Sequence, residues 1–414
     1  MHEVISLKNG VRIVRENMPA VRSAAFGIFI NAGSRSEKST ENGSAHFIEH
    51  MLFKQTANHT ASELASEMDA IGGQINAYTT RESTCFYAKV LDTHLSRAIE
   101  LLCEMFFDCA FDEAETESER GVILEEIGMY EDTPDDLCYE RLISGAFKGA
   151  LGRPVLGRPS TLANMTGASL KAYKESHYTA GNIVVSLCGS FTDEHIAQIT
   201  ERFSALPKSK AKPAKKAEYS VCRTLRRKKT EQNQFCLAFP TDAATSDDRF
   251  AMNLLSTILG GGVSSRLFQN IREKFGLCYS IYSFQQSFAD CGLLGIATAV
   301  SKDTELRALK LIGEELRIFS ENGVSEDELS RAREQAKSSL VMGLESTSSR
   351  MIKLGNSLLV LGKCLTTEEV ISNYDAVTRE NILELARAKF SFENLSLSAL
   401  GKIETIQDYL SALQ

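Results

Sequence analysis

The 414-residue chain has no tryptophan, which by itself excludes nothing, and no uninterrupted apolar run of the roughly 18 residues that a membrane-spanning helix needs. No membrane partner is expected. The first residues also lack a basic stretch followed by an apolar core and a small-residue cleavage site, so a cytoplasmic protein is the expectation. Positive charge is not in excess: the formal net charge is −8, whereas a dedicated nucleic-acid binder usually shows a basic face. No nucleic-acid partner is expected, and the mildly acidic surface is compatible with basic or extended peptides. The ten cysteines include no Cys-x-x-Cys and sit mostly in apolar stretches such as Val184-Val185-Ser186-Leu187-Cys188. Buried free thiols fit that pattern better than disulfides or a thiolate metal site. Gly260-Gly261-Gly262 is not followed by Gly-Lys-Ser/Thr, which excludes a phosphate loop. None of the seven histidines lies beyond His195, so the second half cannot repeat a histidine-based site.

Length alone predicts two or more domains, at about 100–200 residues each. One composition shift divides the chain: Pro207 to Ala217 holds two prolines and five lysines with no hydrophobic periodicity, and reads as a solvated linker. The expected organisation is a first domain over 1–206, a linker over 207–219 and a second domain over 220–414. The halves share a layout. A strand-like run (Ala24–Asn31; Phe235–Phe239) leads to a helix, then to a pair of β-rich runs (Gly72–Thr79 and Thr84–Val90; Gly276–Tyr282 and Gly292–Ala297). Helical periodicity comes next, over His94–Phe107 and Glu117–Tyr130 in one half and Glu305–Phe319 and Glu326–Leu344 in the other. Each half closes on a strand, Asn182–Cys188 or Leu395–Leu400. The fold class is α+β: two homologous domains, each a largely antiparallel sheet with helices packed on it.

The chemistry concentrates in His46-Phe47-Ile48-Glu49-His50. Histidines at i and i+4 on a helix project from one face about a turn apart, within reach of one ion. Glu49 beside them is a carboxylate placed to take a proton from water. Two histidines at this spacing also occur on ordinary surface helices, so a third ligand decides. The segment Glu117–Tyr130 offers one. Glu119 and Glu126 are seven residues apart and share a helical face. Glu126 could complete a His, His, Glu set, and spacing alone leaves Glu125 open as well.

The order His-x-x-Glu-His, with Glu126 placed 76 residues after His50, resembles the inverzincin pattern of the pitrilysin/insulinase (M16) family of zinc peptidases, in its processing-peptidase branch. The resemblance rests on Gly43–Lys54, Asn76-Ala77-Tyr78-Thr79, Leu124-Glu125-Glu126-Ile127, Ser265–Gln269 and Gly276–Ser280, and it covers essentially the whole chain. It implies one zinc per chain, held by His46, His50 and Glu126, with Glu49 as general base and Glu119 as a nearby carboxylate that orients the site. It implies that Asn76 and Ala77 lie on an edge strand to which the substrate backbone adds, and that Phe53 lines the pocket after the cut bond. Arg272 and Tyr279 would reach the scissile carbonyl from the second domain, the two domains facing each other as a clamshell. Asp136 and Glu140 fall where processing peptidases place acidic residues for a basic substrate side chain. The implied activity is metal-assisted hydrolysis of extended peptides, by a homodimer. The alternative within the family is a noncatalytic peptide-binding or scaffold subunit. Such subunits usually lack one or more zinc residues, and this sequence lacks none.

Overall fold

The computed structural model describes residues 2–211 and 214–414, so Lys212 and Pro213 of the expected linker lie outside the described residues. The chain forms two compact units: one drawn from Met1–Ile127, Arg153–Lys215 and Val341–Thr366, the other from Gly128–Gly152, Lys216–Leu340 and Thr367–Gln414.

The first unit is built on a six-stranded sheet. Its strands are β1 (Glu3–Ser6), β2 (Arg12–Asn17), β3 (Ser23–Ile30), β4 (Gln74–Thr79), β5 (Thr84–Leu91) and β7 (Ile183–Gly189), in the order β1-β2-β7-β3-β5-β4. β1 and β2 form an antiparallel pair closed by Lys8-Asn9-Gly10, where Gly10 takes a φ of 112° that favours glycine. The remaining ladders are antiparallel except β2 with β7.

β3, Ser-Ala-Ala-Phe-Gly-Ile-Phe-Ile, is apolar on both faces because both are covered. Ala24, Phe26, Ile28 and Ile30 enter the main core, with residues of helices α1 (Ser44–Leu52), α2 (Ala61–Ala70) and α3 (Leu95–Asp108). Ala25 and Phe29 point the other way, onto Met351, Leu354 and Leu358 of the helix Thr347–Leu361. That helix comes from the far end of the chain and runs close to the sheet. A Cβ on Gly27 would lie 2.4 Å from Met351 Sδ, and one on Gly355 would lie 2.2 Å from the Phe29 ring. Ser186 Oγ donates to Met351 O at 2.9 Å, and Arg12 Nη1 donates to Leu358 O at 2.9 Å.

The second unit repeats the plan. Its sheet runs β11-β12-β10-β13-β9, with β9 (Arg223–Arg227), β10 (Asn233–Thr241), β11 (Cys278–Ser287), β12 (Gly292–Val300) and β13 (Ser396–Gly401). Again one pair is parallel, β9 with β13. Phe235, Leu237 and Phe239 enter the main core, while Cys236 and Ala238 face Leu137, Cys138, Leu142 and Ile143 of α5 (Pro134–Ala146). Each sheet is therefore covered on one face by a helix contributed from the opposite half of the chain.

The expected duplication of an α+β domain is what the structure shows, with two adjustments. The sheets are mixed, each carrying one parallel pair. Of the segment expected as a linker, Glu218–Tyr219 forms a short strand, β8, paired with β6 (Phe147–Lys148). Ser209 N donates to Asn9 O and Ala217 N to Asp290 Oδ2, so both ends are tied down. All ten cysteines are free and six of them are buried, as the sequence pattern implied. Among the described residues no helix is long and apolar enough to cross a membrane.

Candidate metal centre

α1 begins without a side-chain cap of its own. Gly43 enters it in the left-handed region, φ 105°, and Glu37 supplies the missing acceptor from upstream. Its carboxyl accepts Gly43 N at 2.9 Å, Ala45 N at 2.8 Å and Asn42 Nδ2 at 2.8 Å. Burial pushes the Glu37 carboxyl up to about 8, with these donors pulling against the rise. A carboxyl group at this end gives acceptors to amides that the first turn of a helix leaves without partners. Phe47, Ile48, Met51 and Leu52 lock the other face of α1 into the core, each no more than 1% exposed. What is left turns His46, Glu49 and His50 toward α4 (Glu113–Asp132) and β4.

His46 Nε2 and His50 Nε2 lie 3.3 Å apart, and Glu126 Oε2 is 3.6 Å from the first and 3.7 Å from the second. Zinc bonds of about 2.0–2.2 Å in a tetrahedral site put neighbouring ligand atoms roughly 3.3–3.6 Å apart, so the three side chains, within about 0.1 Å of that range, fit a zinc ion. Among the described residues this is the group of three metal-ligating side chains that converges. Glu125, left open by spacing, is exposed and is not part of it.

The charges suit a cation. Burial drives the His46 imidazole down to about 3, helped by the neighbouring His50, so it is neutral and has a lone pair to give. Burial also raises the Glu126 carboxyl above its ordinary value. Glu119, one helical face along, accepts from His50 Nδ1 at 2.7 Å, which leaves Nε2 of His50 free for a ligand bond. Lys54 Nζ holds the other Glu119 oxygen at 2.5 Å. Burial opposes ionisation of Glu119, and the bonds from Lys54 and His50 outweigh it, so its carboxyl stays below the usual value. Nδ1 of His46, by contrast, is buried with no partner among the described residues.

Glu49 stands beside the ligands without joining them. Its Oε2 accepts the Thr79 hydroxyl at 2.5 Å. Burial raises its carboxyl, the Thr79 bond and His50 pull it back, and Glu126 adds to the rise. A half-buried carboxylate with a raised pKa is suited to accept a proton near neutral pH.

The other expected residues fall in two places. Asn76 and Ala77 are on β4, the edge strand of the first sheet, with Asn76 exposed; Phe53 caps the C-terminus of α1, partly buried. In the second unit, Arg272 lies on a π-helical turn, Phe268–Glu273, with its guanidinium 5.3 Å from the Tyr279 ring centre. Tyr279 is 76% exposed at a register break of β11, between Cys278 and Ser280, the kind of bulge that re-aims a side chain. Asp136 and Glu140 both lie on α5. Asp136 borders a cavity of about 400 Å³ with Asp135, Tyr139 and Tyr282, whereas Glu140 accepts from Ser144 Oγ at 2.9 Å.

Reading the sequence missed Lys54, Thr79 and Glu37. Lys54 is four residues after His50 and Thr79 ends the run Asn76–Thr79, so both lie within motifs that carry the resemblance, yet neither had a role. Glu37 carries no local signal, because it serves the helix from seven residues before its first residue.

Residues 12–159 match the model of the insulinase family, peptidase family M16, and residues 164–336 match that of the peptidase M16 inactive domain. An uncharacterized zinc protease of Bacillus subtilis, YmxG, is 42% identical over 95% of this chain and 97% of its own length. The chain belongs to peptidase family M16. Among solved structures, the peptidase M16 inactive domain from Pseudomonas fluorescens superposes with a TM-score of 0.91 at 20% identity, over 98% of this chain and 99% of that one. A chain of complex III2 from Candida albicans gives a TM-score of 0.85 at 20% identity, over 99% of each chain. At these identities the likeness is one of fold. It holds for a chain described as an M16 inactive domain and for a chain of complex III2, so activity must be argued from the residues of the site.

Proposed function

We propose that this M16 chain is an active zinc metalloendopeptidase that hydrolyses extended or unfolded peptides, with one zinc per chain. The observation that carries the reading is the convergence of His46, His50 and Glu126 with an unligated carboxylate, Glu49, beside them. The description of its Bacillus subtilis relative as a zinc protease supports it. His46, His50 and Glu126 would hold the zinc, which when bound would supply Lewis acidity toward the scissile carbonyl and a water of lowered pKa. Glu49 accepts the proton of the attacking water and passes it to the leaving amine. Glu119 and Lys54 keep His50 in the tautomer that offers Nε2. Asn76 and Ala77 receive the substrate backbone along the free edge of β4. Phe53 meets the residue after the cut bond, and Asp136 and Glu140 favour a basic side chain. Arg272 and Tyr279 serve the same reaction by stabilising the oxyanion or orienting the peptide. The partners in this proposal are the peptide and a second copy of the chain, as a homodimer.

The test is metal analysis of the purified protein alongside cleavage of a peptide library with and without chelator. Stoichiometric zinc and chelator-sensitive cleavage are expected. A protein without zinc and without turnover would instead be the noncatalytic subunit of the same family.

A further inference from the structure

Beyond the metal ligands, one hydroxyl stands against the proposed base. β4 alternates its side chains. Tyr78 accepts a hydrogen bond from Asn356 of the helix Thr347–Leu361, Asn356 Nδ2 to Tyr78 Oη at 3.2 Å, on one face of the strand. Thr79, the next residue, falls on the opposite face and gives its proton to Glu49 Oε2 at 2.5 Å. A hydroxyl has one proton, and Thr79 spends it on this carboxylate. Thr84 Oγ1, the cross-strand neighbour at 3.4 Å, gives its own proton to Ala32 O at 2.9 Å and so leaves Thr79 undisturbed. One oxygen of Glu49 is thereby held, and the other is left to receive a proton. The strand that carries the hydroxyl is also the open edge of the sheet.

We infer that Thr79 is a positioning residue for the general base: its hydroxyl fixes the rotation of the Glu49 carboxylate so that the free oxygen alone faces the reacting water. The inference rests on the proposed peptidase reading. It requires the hydroxyl, not the β-branched shape, and it requires Glu49. A charged-acceptor hydrogen bond of this kind corresponds to about a 10- to 100-fold effect on rate.

The experiment compares Thr79→Val, Thr79→Ala and Thr79→Ser, with and without Glu49→Gln, in the full-length zinc-loaded protein. Turnover, zinc content and the affinity of the Glu49→Gln background for a fluorescent peptide substrate are read together. Expected is a kcat lowered about 10- to 100-fold in Thr79→Val and Thr79→Ala, with KM and zinc content unchanged, and recovery to within about 3-fold in Thr79→Ser. In the Glu49→Gln background, Thr79→Val should cost nothing further and should leave peptide affinity as it was. Equal losses in Thr79→Ser and Thr79→Val would overturn the inference, and so would a weakened peptide affinity. Loss of zinc or of the fold in both Thr79→Val and Thr79→Ala would assign the residue to the integrity of the fold and overturn it too. Full turnover in Glu49→Gln alone would instead sink the peptidase mechanism, an outcome that does not depend on Thr79.

Discussion

The two units share a strand plan and differ in the helix that comes after its central strand. In the first, β3 leads to α1 and its His46, Glu49 and His50; in the second, β10 leads to the helix Arg249–Gly260, whose sequence Arg-Phe-Ala-Met-Asn-Leu-Leu-Ser-Thr-Ile-Leu-Gly offers no histidine and no carboxylate. Both helices bury an apolar face against their sheet. In the second unit Met252, Leu255 and Leu259 occupy such positions, and the polar residues of the helix, among them Asn253, Ser256 and Thr257, include no histidine or carboxylate. Order β2-β7-β3-β5-β4 maps onto β9-β13-β10-β12-β11, down to the single parallel pair. The same scaffold thus serves both, and a few side chains on α1 and α4 separate a candidate metal centre from a packing element.

The largest effect that should separate the units is catalytic. Glu49→Gln is expected to lower turnover about 10²- to 10⁴-fold while zinc, measured by elemental analysis, stays bound. A conservative polar substitution at a partly buried position of the helix Arg249–Gly260, such as Thr257→Ser, should do nothing comparable. Next come the contributed helices, where the units should behave alike. Met351→Ala in the first and Leu142→Ala in the second remove fully buried side chains, and each should cost about 2–5 kcal/mol in urea unfolding. A loss in one and not in the other would break the equivalence of the two sheets. Glu119→Gln weakens the hold on His50 and should reduce zinc affinity about 10- to 100-fold in a chelator competition, leaving the fold intact.

The smallest contrast is in pH. His46 has its folded pKa lowered to about 3 from 6.5, so in the metal-free protein the unfolded chain binds the extra proton first. Its contribution to stability is complete above 6.5 and is lost as pH falls toward 3. In the second unit Glu328 is brought down to about 2 from 4.5: burial opposes the change, and the bonds from Arg266 and Ser325 overcome it. That contribution is complete above 4.5 and disappears as pH falls toward 2. Thermal unfolding of the chelated protein across pH 7 to 3 should therefore show a first loss that His46→Gln removes, and a second, at lower pH, that Glu328→Gln removes.

Local features of this molecule were legible in its sequence. The β1–β2 hairpin announces itself through Lys8-Asn9-Gly10, and His46 and His50 through helical spacing. Glu126 was legible as one of two carboxylates, because periodicity gives a face and not a neighbour. The fold chose it over Glu125 by placing α4 across α1. Features carried by distant pairing were not legible. Ser186 meets Met351 at a separation of 165 residues and Cys138 meets Ser398 at 260, and an amphipathic pattern names no sheet for a helix to cover. The parallel pairs β2/β7 and β9/β13 escaped for the same reason. Thr79 escaped because alternation says which side of β4 it takes, but not that Glu49 waits there.

The crossing of helices between the two halves also sets a schedule for the ribosome. When β7 has been made, the first sheet can pair, yet Val14, Ala25, Phe29 and Val184 remain bare until Met351 and Leu358 emerge. At roughly 5–20 residues per second that wait is on the order of 10 s. During synthesis this polypeptide exposes a sticky apolar face of its own making, and the chaperones that shield nascent chains have a defined patch, and a defined interval, to cover.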